Sequence, residues 1–319
     1  MTDVNESSLE GPLPPIAESG PERTFAVARS FLEGEEVVSS MPSGPWLCGP
    51  AGFPPGGVLG VLIDDVLGFA IIKDRPEALW TVSAEISADL VGQLPADGSV
   101  IHARGRGLHT GRHGGFAAGT ITDSAGRLIA VCRQHGRWIT TMPENPGTPT
   151  GPLPAEPAGL VLPAEQAGLV PPAEPAGLVP PAGHAGPVQA RRRRTAPQPA
   201  MAPDLATLLG ARLQATEGGA ELELQVTPEV ANPLGNLHGG ISFIACDLVA
   251  QAALHAARGP AQTASIRVSY PRPVPAGSTA RFEARLLHQG RGLGIVSVTG
   301  TAGGGKPCVM ATIMTGVSD

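Results

Sequence analysis

Two glycine pairs set the plan of this 319-residue chain. Gly56-Gly57 and Gly239-Gly240 each open a long apolar run, Gly57 to Ile72 and Ile241 to Ala257. Each run carries an aspartate at the same distance, Asp64 and Asp247. The runs are too long for buried strands and apolar nearly all round, which predicts two central, enclosed helices. Adjacent glycines let the backbone approach a neighbour closely. The first amides of such a helix have no internal acceptor and point at whatever lies in front of them.

The runs belong to a longer internal repeat. At an offset of 183, Pro50 falls on Pro233, Gly52 on Gly235 and Asp64 on Asp247; at 179, Gly98 meets Gly277, His109 meets His288 and Gly111-Arg112 meets Gly290-Arg291. A short helix within Phe25–Leu32 and a strand at Glu33–Ser40 precede the first glycine pair. Four strands are expected after it, near Leu79–Val91, Ser99–His109, His113–Thr122 and Leu128–Thr140, with turn residues between them that suit an antiparallel meander. The second copy has a short helix at Leu205–Leu209, strands at Ala211–Thr216 and Ala220–Thr227, the glycine loop and helix, then strands near Thr263–Ser269, Ser278–His288, Leu293–Thr301 and Lys306–Thr315. Each half reads as an α+β unit, one long helix against about five antiparallel strands.

The 43 glycines and 34 prolines are unevenly spread. Residues 1–23, rich in Pro, Ser and Glu, are expected to be disordered. The first folded domain spans 24–140 and the second 204–319. Between them, 141–203 holds a recurring nine-residue unit, beginning Leu153-Pro154-Ala155-Glu156-Pro157-Ala158-Gly159-Leu160-Val161. Prolines at that density deny helix and sheet, so a semi-extended linker is expected. Arg191-Arg192-Arg193-Arg194 follows, a solvated charge run or an anchor for phosphates.

A net charge of −6 gives no global basic surface, and 3% aromatic residues leave few platforms for stacking bases, so no nucleic acid partner is expected. The four cysteines show neither metal-ligand nor CxxC spacing, and His102, His109, His113, His135 and His288 have no ligand spacing either. No metal or cofactor is expected. The N-terminus lacks a signal-peptide core and no run is read as a membrane span, which points to a cytoplasmic protein.

Asn232-x-x-Gly235-x-x-His238-Gly239-Gly240, followed by Asp247, resembles the signature of the PaaI-like acyl-CoA thioesterases of the hotdog superfamily. The similarity covers 205–317 well and 24–140 more weakly. It implies two hotdog domains, each a sheet wrapped around a central helix, paired side by side as an intramolecular pseudo-dimer. It also implies a thioester held between units, with loop and helix N-terminus from one and the acidic residue from the other. The first half has Gly49 and Pro55 where the second has Asn232 and His238. One site would therefore combine Asn232, His238 and the Gly240 amide with Asp64 or its neighbour Asp65. The other would pair Asp247 with a loop that lacks both polar residues, and the first is expected to be the competent one.

For such a site the backbone N–H at the head of the helix would stabilise the oxyanion. The carboxylate would activate water or attack directly. Asn232 and His238 would orient water or thioester, or brace the loop. Asp247 is a catalytic candidate alongside a packing role. Adjacent helical positions face different ways, so Asp65 ranks behind Asp64, and Ser242 and Gln251 are further polar candidates. Arg267, Arg272 and Arg291 are candidates for coenzyme A phosphates. The expected reaction is hydrolysis of an acyl-CoA, or of an acyl-carrier-protein thioester. The alternatives are a non-catalytic acyl-CoA binder and a hydratase or dehydratase on the same fold. A homodimer of double-hotdog chains is possible through open sheet edges.

Overall fold

The computed structural model describes residues 20–49, 51–140, 204–302 and 305–316. The expected linker, its nine-residue repeat and the arginine run lie outside the described residues, as does almost all of the N-terminal segment.

In the first half, helix α1 (Gly20–Thr24) leads to strands β1 (Phe31–Glu33) and β2 (Glu36–Pro42). A short 3-10 turn at Gly56–Leu59 then runs into helix α2 (Gly60–Ile72), followed by β3 (Trp80–Leu90), β4 (Val100–Thr110), β5 (Gly114–Thr122) and β6 (Leu128–Ile139). The second half repeats this order with α3 (Leu205–Leu208), β7 (Arg212–Thr216), β8 (Gly219–Gln225), α4 (Gly239–Arg258), β9 (Gln262–Ser269), β10 (Thr279–Gln289), β11 (Leu293–Ala302) and β12 (Pro307–Gly316). The helix expected within Phe25–Leu32 is not there. Phe25 and Val27 are buried with exposed Ala26 between them, a period of two, and Ala26 takes a positive φ of 51° that ends the short helix before it.

Among the described residues, twelve strands form one antiparallel sheet, in the order β1-β2-β4-β5-β6-β3-β9-β12-β11-β10-β8-β7. From the centre outward the two halves read alike, 3-6-5-4-2-1 and 9-12-11-10-8-7, so the chain is a pair of hotdog domains related by a pseudo-two-fold axis. The seam is β3 against β9, from Glu85 opposite Ser269 to Asp89 opposite Ser265. The expected meander holds for β4-β5-β6 alone. β3 crosses to the far side of β6, and the turn at Pro95–Gly98 is therefore a crossover connection rather than a hairpin.

Each half-sheet wraps its own helix. Val61, Leu62, Ile63, Val66, Leu67, Ala70 and Ile71 of α2 are buried, as are Phe243, Ile244, Leu248, Val249 and Leu254 of α4. The α4 stretch Gly239–Ala257 reaches the length and apolarity of a membrane-crossing helix, contrary to the sequence expectation, but 83% of its most apolar window is buried inside this core. Both halves belong to one unit. Their helices meet head to head: a Cβ on Gly60 would stand 2.4 Å from the Gly240 carbonyl oxygen, and one on Gly240 2.5 Å from the Gly60 oxygen. That crossing brings Asp64 to the first turn of α4 and Asp247 to the 3-10 turn that leads into α2.

Candidate functional site

The loop before α4 is built on Asn232. Its Oδ1 accepts the amides of Leu234 at 3.0 Å and Asn236 at 3.1 Å, and its own amide donates to the Asn236 carbonyl at 2.7 Å. Gly235 completes the turn at φ +70°, where a side chain would be strained. The amide oxygen of Asn232 thus braces the loop. The turn delivers His238 as the N-cap of α4, with Nδ1 3.0 Å from the Gly240 nitrogen.

Asp64 arrives from α2. Its Oδ2 accepts the Gly240 amide at 3.0 Å and lies 3.3 Å from His238 Nδ1. The same oxygen would be 2.6 Å from a Cβ on Gly239, so only glycine fits there. The other oxygen, Oδ1, accepts from Ser83 Oγ at 2.7 Å and Gln134 Nε2 at 3.0 Å. One carboxylate oxygen is pinned to the sheet and the other faces the helix head. Tyr270 closes this end, its hydroxyl donating to the Gly239 carbonyl at 2.9 Å.

His238 Nε2 faces Glu22 Oε1 at 3.4 Å. Burial alone disfavours the imidazolium, but the charges of Asp64, Glu22 and Asp65 outweigh it and hold the pKa at about 9. In the charged ring Nδ1–H faces Asp64 and Nε2–H faces Glu22, and Gly240 gives its hydrogen bond to Asp64. Gly240 donates to Nδ1 once the ring loses that proton. Asp65 is pushed up to about 7 by burial and by the charge of Glu22, against a hydrogen bond from Ser30. Burial first, then the negative charge of Asp64, keeps the Tyr270 phenol neutral.

These groups line a cavity of about 810 Å³. Asp64, Asp65, Gly68, Phe69 and Ile72 all contribute from α2, because the cavity is wide enough to take two adjacent rows of the helix; Asp65 is therefore not turned away from Asp64 as expected. Val27, Trp80 and Ile139 extend an apolar wall, while Arg29, Arg137 and Arg272 add cations. Ser242 also lines it, but its hydroxyl donates to the His238 carbonyl at 3.2 Å. Arg272 has one Nη donating to the Pro307 carbonyl. Arg267, which sits 3.9 Å from Glu85, and exposed Arg291 in the β10–β11 turn are not among the lining residues.

The pseudo-symmetric counterpart is sealed. Asp247 is fully buried, with Oδ2 accepting the Gly57 amide at 2.7 Å and Thr263 Oγ1 within 2.9 Å of Oδ1. Burial raises it to about 6, against the hydrogen bonds it accepts. Gln251 donates to Thr263 Oγ1 at 2.6 Å. At the offset of 183, Gln251 and Leu248 stand where α2 has Gly68 and Asp65, so large side chains fill the space that the first helix leaves open. Neither Asp247 nor Gln251 lines the cavity.

Sequence reasoning missed Glu22, Ser30, Ser83, Gln134, Thr263 and Tyr270. Gln134 left a trace, a polar residue at an inward position between Cys132 and Gly136 of an alternating strand. Tyr270 is the chain's one tyrosine. Among the described residues, no group of three or more His, Cys, Asp or Glu is arranged to hold a metal ion.

Residues 234–309 match the family model of the thioesterase superfamily. No curated protein matches the chain significantly in sequence. Solved structures share the whole architecture. The TesB protein of Mycobacterium avium subspecies paratuberculosis superposes with a TM-score of 0.58 at 9% identity, over 94% of this chain and 100% of that one. A structure described as a thioesterase from Novosphingobium aromaticivorans gives 0.55 at 16% identity, covering 91% and 98%. One described as an oleoyl thioesterase from Lactobacillus plantarum gives 0.52 at 12%, covering 90% and 99%. At these identities the likeness is one of fold.

Proposed function

We propose that this double hotdog chain, whose second half matches the thioesterase superfamily, hydrolyses an acyl-CoA thioester at the cavity between its halves. The observation that carries the reading is the contact of Asp64 Oδ2 with the Gly240 amide at 3.0 Å, at the head of a 20-residue helix and in the wall of a largely apolar cavity. A carbonyl oxygen entering the site takes the Gly240 N–H from Oδ2, and the α4 dipole stabilises the charge that develops on it. Ser83 and Gln134 keep Asp64 in place through Oδ1, which leaves Oδ2 as the basic oxygen. It removes a proton from water as water adds to the carbonyl carbon, or adds there itself and is released by water. The tetrahedral intermediate collapses with cleavage of the C–S bond, the thiolate takes up a proton, and free acid and thiol leave.

The acyl group is assigned to the wall of Phe69, Ile72, Trp80 and Ile139, and the coenzyme phosphates to the side of Arg29, Arg137 and Arg272. Asp247 serves as a cap on the first half's helix. The test is a panel of acyl-CoAs with free thiol followed in time. Thiol release dependent on Asp64 supports the reading, and tight binding of the esters without release overturns it in favour of a binding protein. After a single turnover in ¹⁸O water, label found in the Asp64 carboxylate identifies the covalent route, because a base never exchanges its own oxygens.

A further inference from the structure

Glu22 is left without a part in that chemistry, yet the fold goes to some length to place it. Helix α1 leaves the first half and docks on the loop that precedes the second half's motif. A Cβ on Gly20 would stand 2.3 Å from Glu229 Cα and from the Pro228 carbonyl oxygen, so the two backbones are in direct contact. Phe25, just after α1, is buried and anchors the segment from its other end. Between these anchors Glu22 Oε1 is brought to 3.4 Å from His238 Nε2, with 14% and 9% of the two side chains exposed.

A carboxylate only accepts, and the ring nitrogen that carries a histidine's proton is decided by the bond that nitrogen makes. Glu22 therefore keeps a proton on Nε2 in both the neutral and the charged ring. Nδ1 becomes the titrating atom, and it is the one beside Gly240 and Asp64. We propose that Glu22 is a positioning residue of the site, which through Nε2 of His238 holds Nδ1–H beside the Gly240 amide as a second donor to the thioester oxygen. This role rests on the hydrolytic reading above; the pairing itself does not.

When Nδ1 is protonated, a substrate oxygen that displaces Asp64 Oδ2 meets two donors. When Nδ1 is bare, its lone pair repels an oxyanion. The charged and titratable groups around the ring are Glu22 from α1, Asp64 and Asp65 from α2 and the Tyr270 phenol after β9, with Arg29, Arg137 and Arg272 in the same cavity wall. Of the carboxylates, Glu22 is the one paired with Nε2, so its removal changes the ring's proton affinity and leaves the Asp64–Gly240 contact in place.

The test compares the full chain with Glu22→Gln and Glu22→Ala. The His238 ring resonance, assigned by its loss in His238→Asn, is titrated by NMR. Removing an opposite charge at this distance is expected to lower its midpoint by about one pH unit or more. The alkaline limb of kcat/KM should move down with it, so that activity lost at pH 9 exceeds activity lost at pH 6 by at least about fivefold. A His238 midpoint unmoved in both variants overturns the proposal, as does a loss of activity equal at every pH. A wild-type chain that releases no thiol removes the hydrolytic reading, while the ring titration still decides whether Glu22 holds His238.

Discussion

Asp64 and Gly240 are 176 positions apart and meet at 3.0 Å, carboxylate oxygen to amide nitrogen. The matching pair, Asp247 and Gly57, meets at 2.7 Å across 190 positions. Each helix thus caps the other. The duplication made two such contacts, and the side chains around them decided which would open into a cavity.

The ionisable groups at both contacts make stability depend on pH. His238, raised to about 9 from 6.5, contributes stability that is full below pH 6.5 and is lost as pH rises through 9. Asp65 and Asp247, raised from 3.8 to about 7 and about 6, resist ionisation, so their contributions are full below 3.8 and are lost as pH rises through those values. Carboxylates held low, such as Asp123 and Glu229, act in the opposite sense and weaken the fold only at acid pH. Melting temperature is expected to fall from pH 5 to pH 9. Asp65→Asn should flatten the part of the slope below about pH 7, and His238→Gln the part between pH 6.5 and about 9. Scanning calorimetry across that range checks both.

The head-to-head helix crossing requires Gly240. An alanine there would place Cβ 2.5 Å from the Gly60 oxygen and from Val61 Cα, both backbone atoms that cannot step aside. Gly240→Ala is expected to cost about 1–3 kcal/mol or more, or to prevent folding, although it keeps the N–H. Gly68→Ala is the contrast. Its Cβ would meet nothing nearer than Gln134 Nε2 at 3.8 Å, and it lies inside α2. It should stabilise the protein by up to about 1 kcal/mol. Chemical denaturation of the two variants tests the pair.

Ser83 and Gln134 act on Asp64 through Oδ1. Removing either donor with Ser83→Ala or Gln134→Leu leaves the carboxylate short of a hydrogen bond, a cost of about 1–3 kcal/mol. If that cost falls on the reacting geometry, kcat should drop roughly ten- to a hundredfold with KM little changed. Steady-state kinetics on an acyl-CoA that the wild type hydrolyses measures the split.

The glycine loop, both central helices and most strand positions were legible because each depends on local pattern: Gly235 in its turn, the apolar runs, the alternation along β6. The pairing of the halves came from the resemblance to the hotdog thioesterases laid on the repeat, and the lost Asn232 and His238 equivalents in the first copy indicated which site to favour. What stayed hidden depends on distant pairing. Ser83 reaches Gln134 only because β3 crosses to lie beside β6. Glu22 sits in a Pro- and Glu-rich stretch whose composition suggests disorder, and its partner lies in the other half. The closure of the second contact was written in Gln251 and Leu248 against Gly68 and Asp65, differences in volume whose meaning needs the helix face.

The most direct test is to measure kcat/KM for one acyl-CoA in Asp64→Asn and Asp247→Asn side by side, with folding of each verified by circular dichroism. If the cavity between the halves is the reaction site, Asp64→Asn should lose about 10²- to 10⁴-fold. Asp247→Asn should stay within about threefold of wild type while melting at a lower temperature. Equal losses, or a larger loss in Asp247→Asn, would contradict the assignment of the reaction to Asp64 and Gly240.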